Sequence, residues 1–230
     1  MNPVQDSQDE LIALFHSGRK QQYDKGDIIL YARDEPRGVY FIEEGYAKVY
    51  ALSKDGQEHD HLYYGSGSIF PVIWAFSGAV RNVFYQALSP LTVWIVPKDD
   101  FVNFVQSNPH AAFHMVLQTT ELFHVYAGRI DNLLYSNSYE RIVYFLLSMV
   151  SRFGDKTGEH IAISAPLTQQ DIAHAVGLTR ETTTRNLGRL QRLGHIGYDQ
   201  PHHLVIHNLP ALVKIVGEDI VAGMWPEILN

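Results

Sequence analysis

Four arginines, Arg180, Arg185, Arg189 and Arg192, fall within a short stretch whose only acid is Glu181. Arginine donates paired hydrogen bonds to guanine O6 and N7, glutamate accepts from cytosine N4, and the methyl of a threonine such as Thr184 fits a thymine methyl. Arg180, Glu181, Thr184 and Arg185 therefore form a set able to read base edges. Arg189 and Arg192 lie farther along, where guanidinium groups suit phosphates, which position a duplex without specifying its sequence. The stretch 180–192 carries a local charge of +3 inside a chain whose formal net charge is −7. Screening limits charge effects to roughly 8–10 Å at physiological salt, so local placement matters more than the total.

Such residues work only if a helix presents them, and the flanking sequence supplies one. Thr168 suits an N-cap, with Asp171 at the third helical position. Ile172, Ala173 and Val176 give that helix an apolar face, Gly177 supplies a turn, and Leu178 fills the angle between helices. Thr179 caps the next helix, whose core face is Leu187 and Leu190, with Leu193 nearby. Two short helices joined by a glycine-containing turn form a helix-turn-helix, and the first turns of the second helix enter the major groove. Ile196–Tyr198 and Leu204–His207 flank Asp199–His203 and predict a β-hairpin wing, with His202 near its tip beside a phosphate. The plainer alternative is a structural helical hairpin whose arginines are only solvated.

Upstream the pattern changes twice. From Gln22 to Pro97, aromatic and β-branched runs (Ile28–Tyr31, Val39–Ile42, Tyr46–Leu52, Val83–Tyr85, Thr92–Val96) alternate with glycine turns. This predicts an antiparallel barrel or sandwich. A long helix is then expected over 109–135. Phe113, Val116, Thr120, Phe123, Ala127, Ile130 and Leu134 follow a 3-4-3-4-3-4 spacing along it, the period of a helix-pairing seam. The alternative is a stripe that packs on its own β domain. Asn137 with Glu140 reads as a capping box opening the next helix and as a hinge between domains. That helix has Ile142, Val143, Leu146, Leu147 and Val150 on its apolar face, and Gly154–Gly158 reads as an exposed loop. The expected domains are 1–108, 109–136 and 137–230.

Composition narrows the classes. An apolar fraction of 46% fits a folded protein. No apolar run is long enough to span a membrane, and the N-terminus lacks a secretion signal, so a cytoplasmic protein is expected. The absence of cysteine excludes thiolate nucleophiles and cysteine-ligated iron–sulfur clusters. Residues 1–136 carry 10 basic and 16 acidic side chains, and residues 137–230 carry 8 and 9, so the acidic excess is N-terminal. No catalytic triad, P-loop or dinucleotide fingerprint is present, and no enzyme activity is expected.

In this order of parts the chain resembles the CRP/FNR family of bacterial transcription regulators. The resemblance covers almost the whole chain. It is carried by Val39–Gly45, Lys54–Glu58, Leu167–Ala173 and Thr179–Arg185, whose Arg-Glu-x-x-x-Arg spacing is that of the catabolite-activator branch. It implies an α+β fold with an N-terminal antiparallel β-roll of cyclic-nucleotide-binding type, a long dimerisation helix and a C-terminal winged helix-turn-helix. It further implies a homodimer on double-stranded DNA with TGTGA-like half-sites about 34 Å apart, one helical turn. The segment Gly154–Glu159 sits where family members can contact RNA polymerase.

The effector segment departs from that family. Phe70, Val72 and Trp74, with Arg81 and Asn82, stand where cyclic-nucleotide binders carry Gly-Glu and Arg-Ser pairs, and Tyr126-Ala127 replaces an adenine-binding Thr-Ser pair. Val72 cannot accept from a ribose hydroxyl, and Pro71 removes a backbone donor. At about 1–3 kcal/mol for each lost buried partner, cyclic AMP is disfavoured. The bulky segment is either ordinary core or a site for a lipid-like or aromatic ligand, so no cofactor is assigned and the effector is unknown.

Twelve histidines raise a metal or haem alternative. His59 and His61 share a strand face in the manner of a cupin, but Leu62–Gly65 provides no third ligand. His110 and His114 share a helix face without an accompanying carboxylate, and nothing specific marks His114 or His124 as a haem ligand. The competing class is a cupin-like metal-binding enzyme with a helical accessory domain. It leaves the arginine stripe unexplained, and no metal site is expected.

Overall fold

The structure, a computed structural model, describes residues 3–229, so Met1, Asn2 and Asn230, the outermost ends of the expected domains, lie outside it. Packing divides the chain into two compact units, residues 1–121 and 122–230. The first begins with α1 (Pro3–His16) and continues through β1 (Arg19–Tyr23), β2 (Ile28–Leu30), β3 (Val39–Glu44), β4 (Ala47–Leu52), β5 (Glu58–Tyr64) and β6 (Ile69–Phe70). Then follow α2 (Val72–Ser77), β7 (Phe84–Ala87), β8 (Leu91–Val96), α3 (Lys98–Ser107) and α4 (Pro109–Tyr135), the helix within which the two units meet in sequence. The strands form two antiparallel sheets, ordered β1-β8-β3-β6 and β2-β7-β4-β5, a β-roll.

β3 shows why a sheet buried on both faces loses polar alternation. Val39 and Phe41 pack into a core with Leu11 and Phe15 of α1 and Phe101 of α3, with Phe15 stacked on Phe41 at 5.3 Å. Tyr40, on the opposite face, stacks on Phe70. The three helices α1, α2 and α3 were not expected from the strand-like patterning. α1 and α3 are short amphipathic covers over one face of the sheet, and their apolar residues are too few to be told from loop anchors without the sheet beneath. Between β3 and β4, Gly45 has φ +94° and a Cβ there would overlap the Pro90 carbonyl oxygen, so the turn requires glycine.

One charged cluster joins β4 and β5. Lys48 on β4 pairs with Glu58 and, at 3.5 Å, with Asp60 on β5, whose Oδ2 accepts from the Tyr63 hydroxyl at 2.6 Å. Asp60 is fully buried. Burial pushes its carboxyl up to about 7 against the opposing pull of Lys48 and the Tyr63 hydrogen bond.

The second unit runs from Leu122 through α5 (Ser138–Phe153), β9 (Gly154–Thr157), β10 (His160–Ile163), α6 (Gln169–Val176), α7 (Arg180–Arg192), β11 (Ile196–Gln200), β12 (His203–Ile206), α8 (Leu209–Val216) and α9 (Glu218–Met224), ending in a 3₁₀ turn, Pro226–Leu229. Its antiparallel sheet has the order β11-β12-β10-β9. α5 is the central support: Ile142 to Val150 are all buried, and the capping box Asn137–Glu140 is present with both its hydrogen bonds. The expected loop 154–158 is instead half of a hairpin, because Asp155–Thr157 pair with His160–Ala162 across the turn at Gly158. Those β9 side chains are exposed, so their polarity concealed a strand held by backbone pairing alone. Leu193 is also not core: it is 53% exposed, one residue past the end of α7.

In the folded chain Asp60 keeps its proton in the window between its ordinary carboxylate value and about 7, where the unfolded chain has lost it. Stability from this group therefore falls as pH rises through that window. Between about pH 5 and about pH 8 the thermal midpoint of the wild type should fall relative to that of Asp60→Asn. Parallel pH curves for the two proteins would show that Asp60 is ionised throughout.

Candidate nucleic-acid interface

The second unit places α6 and α7 as two short helices around a tight turn. Thr168 caps α6 through a complete capping box: its hydroxyl accepts from Asp171 N at 3.0 Å, and Asp171 Oδ2 accepts from Thr168 N at 2.9 Å. Gly177 ends the helix in the left-handed region (φ 67°), donating its N–H to the Ala173 carbonyl. Thr179 then caps α7, accepting from Thr182 N at 3.2 Å. The hydroxyls of Thr168 and Thr179 are thus engaged in fixing the helix starts.

Along α7 each residue advances about 100° around the axis. Thr183, Leu187 and Leu190 are fully buried on one side. Arg180, Glu181, Thr184 and Arg185 are all exposed and occupy the adjoining sector of about 140°. The structure therefore brings the four expected base-reading side chains together at the N-terminal end of one exposed face. Arg185 Nη2 lies 3.4 Å from the Thr182 hydroxyl, and the Thr184 hydroxyl donates to Gln169 Oε1 at 2.6 Å. Arg192 is exposed near the far end. Arg189 is exposed too, but its guanidinium stacks over the Tyr139 ring at 4.3 Å. Asn186 Nδ2 donates to the Ser138 hydroxyl at 3.3 Å, a second tie between α7 and the start of α5.

The wing is the β11–β12 hairpin. Its exposed tip residue His202 has φ 71°, and its carbonyl accepts from Leu167 N at 2.9 Å. This bond holds the wing tip beside the start of α6. The sequence did not reveal Gln169, Tyr139, Ser138 or Asn186, because each acts through a contact across elements. Gln169, adjacent to the Thr168 cap, and Asn186, within α7 itself, lie in the motif, but neither residue type marks its partner.

The expected effector residues divide. Phe70 and Trp74 are buried in the first unit, Trp74 with the Lys98 ammonium 5.0 Å from its ring. Val72 and Arg81 are half-buried, while Asn82 is exposed and accepts from Arg33 Nε at 3.0 Å. Tyr126 belongs to the second unit, where its hydroxyl is buried and, among the described residues, makes no hydrogen bond. Four aromatic rings stack within the roll: Phe70 lies 5.3 Å from Tyr40, 4.9 Å from Tyr85 and 5.4 Å from Tyr64. His59 and His61 are half-buried on β5, where the pairing with β4 shifts register at His61. Among the described residues no helix is long and apolar enough to cross a membrane.

Comparison with known proteins agrees with this geometry. Residues 20–108 match the family model described as the cyclic nucleotide-binding domain, and residues 140–215 match the Crp-like helix-turn-helix domain. A β-roll of the first kind followed by a helix-turn-helix of the second defines a DNA-binding transcription regulator. The chain is 28% identical over 173 residues to the Global nitrogen regulator of Synechococcus elongatus, covering 74% of this chain and 78% of the relative. It is 27% identical over 203 residues to the Fumarate and nitrate reduction regulatory protein of Escherichia coli, covering 86% and 79%. The fold is that of FixK2 from Bradyrhizobium japonicum, with a TM-score of 0.75 at 23% identity over 87% of this chain and 98% of that one. This chain belongs to the CRP/FNR family of transcription regulators. The cupin-like enzyme alternative finds no support in these matches.

Removing the α6 cap tests how the reading head is fixed. Thr168→Ala should lower the stability of the second unit by about 1 kcal/mol, while Thr168→Ser should be nearly neutral. Urea denaturation of the three proteins, followed by helical circular dichroism, measures this. Equal losses in both variants would show that the methyl, not the hydroxyl, is what matters.

Proposed function

We propose that the chain acts as a cytoplasmic homodimer on an inverted DNA repeat with TGTGA-like half-sites, and that it binds there without cyclic AMP. The observation that carries this reading is the seam of α4. Phe113 and Val116 are 56% and 58% exposed in the first unit, and Phe123, Ile130 and Leu134 are 70%, 58% and 67% exposed in the second. Thr120 is exposed and Ala127 half-buried between them. A run of large apolar side chains left in water at helix-pairing spacing is what a second copy of the same helix would cover. A two-fold pair of recognition helices then meets half-sites about 34 Å apart.

In this reading Arg180, Glu181, Thr184 and Arg185 read bases, while Arg192, Arg189 and His202 position phosphates, with Thr168 and Thr179 fixing the helix starts at the backbone. Residues 1–108 serve as the sensor-type domain, 109–136 as the dimerisation helix and 137–230 as the DNA-binding domain. The β9–β10 hairpin, exposed from Asp155 to Glu159, is the segment offered to RNA polymerase. Independence from cyclic AMP rests on the stacked Tyr40, Phe70, Tyr64 and Tyr85 rings, which already supply the roll with close-packed apolar contacts.

Fluorescence anisotropy with the ligand-free protein at about 150 mM salt should show tight binding to a TGTGA-type palindrome over a scrambled duplex, unchanged by added cyclic AMP. Arg185→Ala should cost about 1–3 kcal/mol at one base position, whereas Arg192→Ala should weaken all sequences alike and reduce the salt slope by about 1. Binding that requires cyclic AMP, or identical behaviour of the two variants on matched and scrambled DNA, would overturn these assignments. Phe123→Glu should convert the sedimenting species from dimer to monomer; a dimer that survives it would place the seam elsewhere.

A further inference from the structure

The stretch after the wing has no task in the reading so far, and the matched helix-turn-helix region ends at residue 215. α9 and the 3₁₀ turn nevertheless pack closely within the second unit. Val221 is fully buried and Trp225 is 4% exposed. The Trp225 ring meets the ring of Tyr144 on α5 at 4.7 Å, and Glu227 Oε1 accepts from the Ser151 hydroxyl, also on α5, at 2.5 Å. On α4, Gly128 completes the contact. A Cβ at this position would overlap both the Tyr144 hydroxyl and the Met224 methyl, so the helix is notched where α5 and the end of α9 meet it.

Further bonds tie the same half of α4 to the DNA-binding elements. Arg129 donates to the Ala175 carbonyl at the end of α6. Arg141 of α5 donates to the Leu133 and Ser136 carbonyls at the end of α4, at 2.8 and 3.1 Å. The division between compact units falls at Glu121–Leu122, above this group of contacts and not at Asn137. Phe123, Ala127, Ile130 and Leu134, the lower part of the seam, thus share a packed body with α7.

We propose that the C-terminal segment Glu218–Leu229 is a positioning element for DNA recognition: seated on Tyr144 and in the Gly128 notch, it clamps the lower half of α4 to α5. The paired seam then fixes the separation and tilt of two reading heads. Trp225, Tyr144 and Gly128 act through α5 and α7 and touch no base. The inference rests on the dimer reading above, but its contact geometry does not.

The test uses full-length Trp225→Ala and two measurements. Hydrogen exchange in the absence of DNA should rise at least about tenfold across residues 122–135 while α6 and α7 stay protected. Affinity for the palindrome should fall about tenfold, part of the roughly 10²–10⁴ advantage that linking two sites supplies. Affinity for a duplex with one half-site scrambled should stay unchanged, and the penalty for one extra base pair between half-sites should shrink. Trp225→Phe should restore both measurements. If Trp225→Ala does not fold, Gly128→Ala, which crowds the clamp from the other side, should give the same pattern.

Unchanged exchange in residues 122–135 would overturn the clamp whatever the DNA result. Equal losses on palindrome and single half-site would reduce the segment to general stability and overturn its positioning role. If the wild type itself showed no palindrome preference, the DNA reading would fail while the exchange measurement still decided the clamp.

Discussion

A recognition helix has two faces with opposite demands, and the second unit is arranged around meeting both in α7. One side must be dry enough to hold the helix rigidly, and Thr183, Leu187 and Leu190 are fully buried there. The neighbouring sector, with Arg180, Glu181, Thr184 and Arg185, is exposed, as the proposed exchange of water for base edges requires. Since α7 is only 13 residues long, its own helical propensity cannot hold it in place. Support comes from α5, whose apolar face is buried from Ile142 to Val150, from the Thr179 cap, and from the ties of Asn186 and Arg189 to Ser138 and Tyr139. The Thr183 hydroxyl is the concession. It is buried and, among the described residues, makes no hydrogen bond, so its methyl contributes packing at a polar cost of about 1–3 kcal/mol.

The first unit meets a different constraint. A roll that binds a nucleotide must keep polar groups aimed inward to replace the water the ligand loses. This roll stacks aromatic rings against one another, while on β4 and β5 Lys48 pairs with Asp60, whose Oδ2 also accepts from the Tyr63 hydroxyl. Rings stacked at about 5 Å fill volume and gain offset-stacking contacts without needing any donor or acceptor. These stacked rings are the basis on which independence from cyclic AMP is proposed.

What the sequence made legible follows from range. Capping boxes join residues three apart, and Asn137–Glu140 and Thr168–Asp171 were readable because donor and acceptor sit in one turn. The apolar stripe of α4 was readable because its period repeats along one helix, Pro109–Tyr135. Contacts across elements left no comparable mark. The Gln169–Thr184 bond spans 15 residues and the Ser151–Glu227 bond 76, while Gly128 looks in sequence like any helix glycine. β9 was read as a loop because its strand is held by backbone pairing to β10, which side-chain polarity does not report. α1 and α3 were missed because their apolar residues make sense only once a sheet lies beneath them.

The chain's charge is at odds with a DNA partner until distance is considered. A net charge of −7 is a property of the whole chain, and phosphates respond to what lies within a Debye length of roughly 8 Å. Residues 1–136 hold nearly all the acidic excess, at −6, while the stretch 180–192 stands at +3. An acidic remainder also bears on specificity. Carrying no net positive charge, it adds nothing to the sequence-independent attraction that depends on phosphate neutralisation, and it leaves the contacts that depend on base identity untouched. A regulator must find a few sites among a vast excess of others, so discrimination depends on the ratio of specific to non-specific affinity. A local excess of positive charge in 180–192, set in an acidic remainder, favours that ratio by keeping the total attraction low.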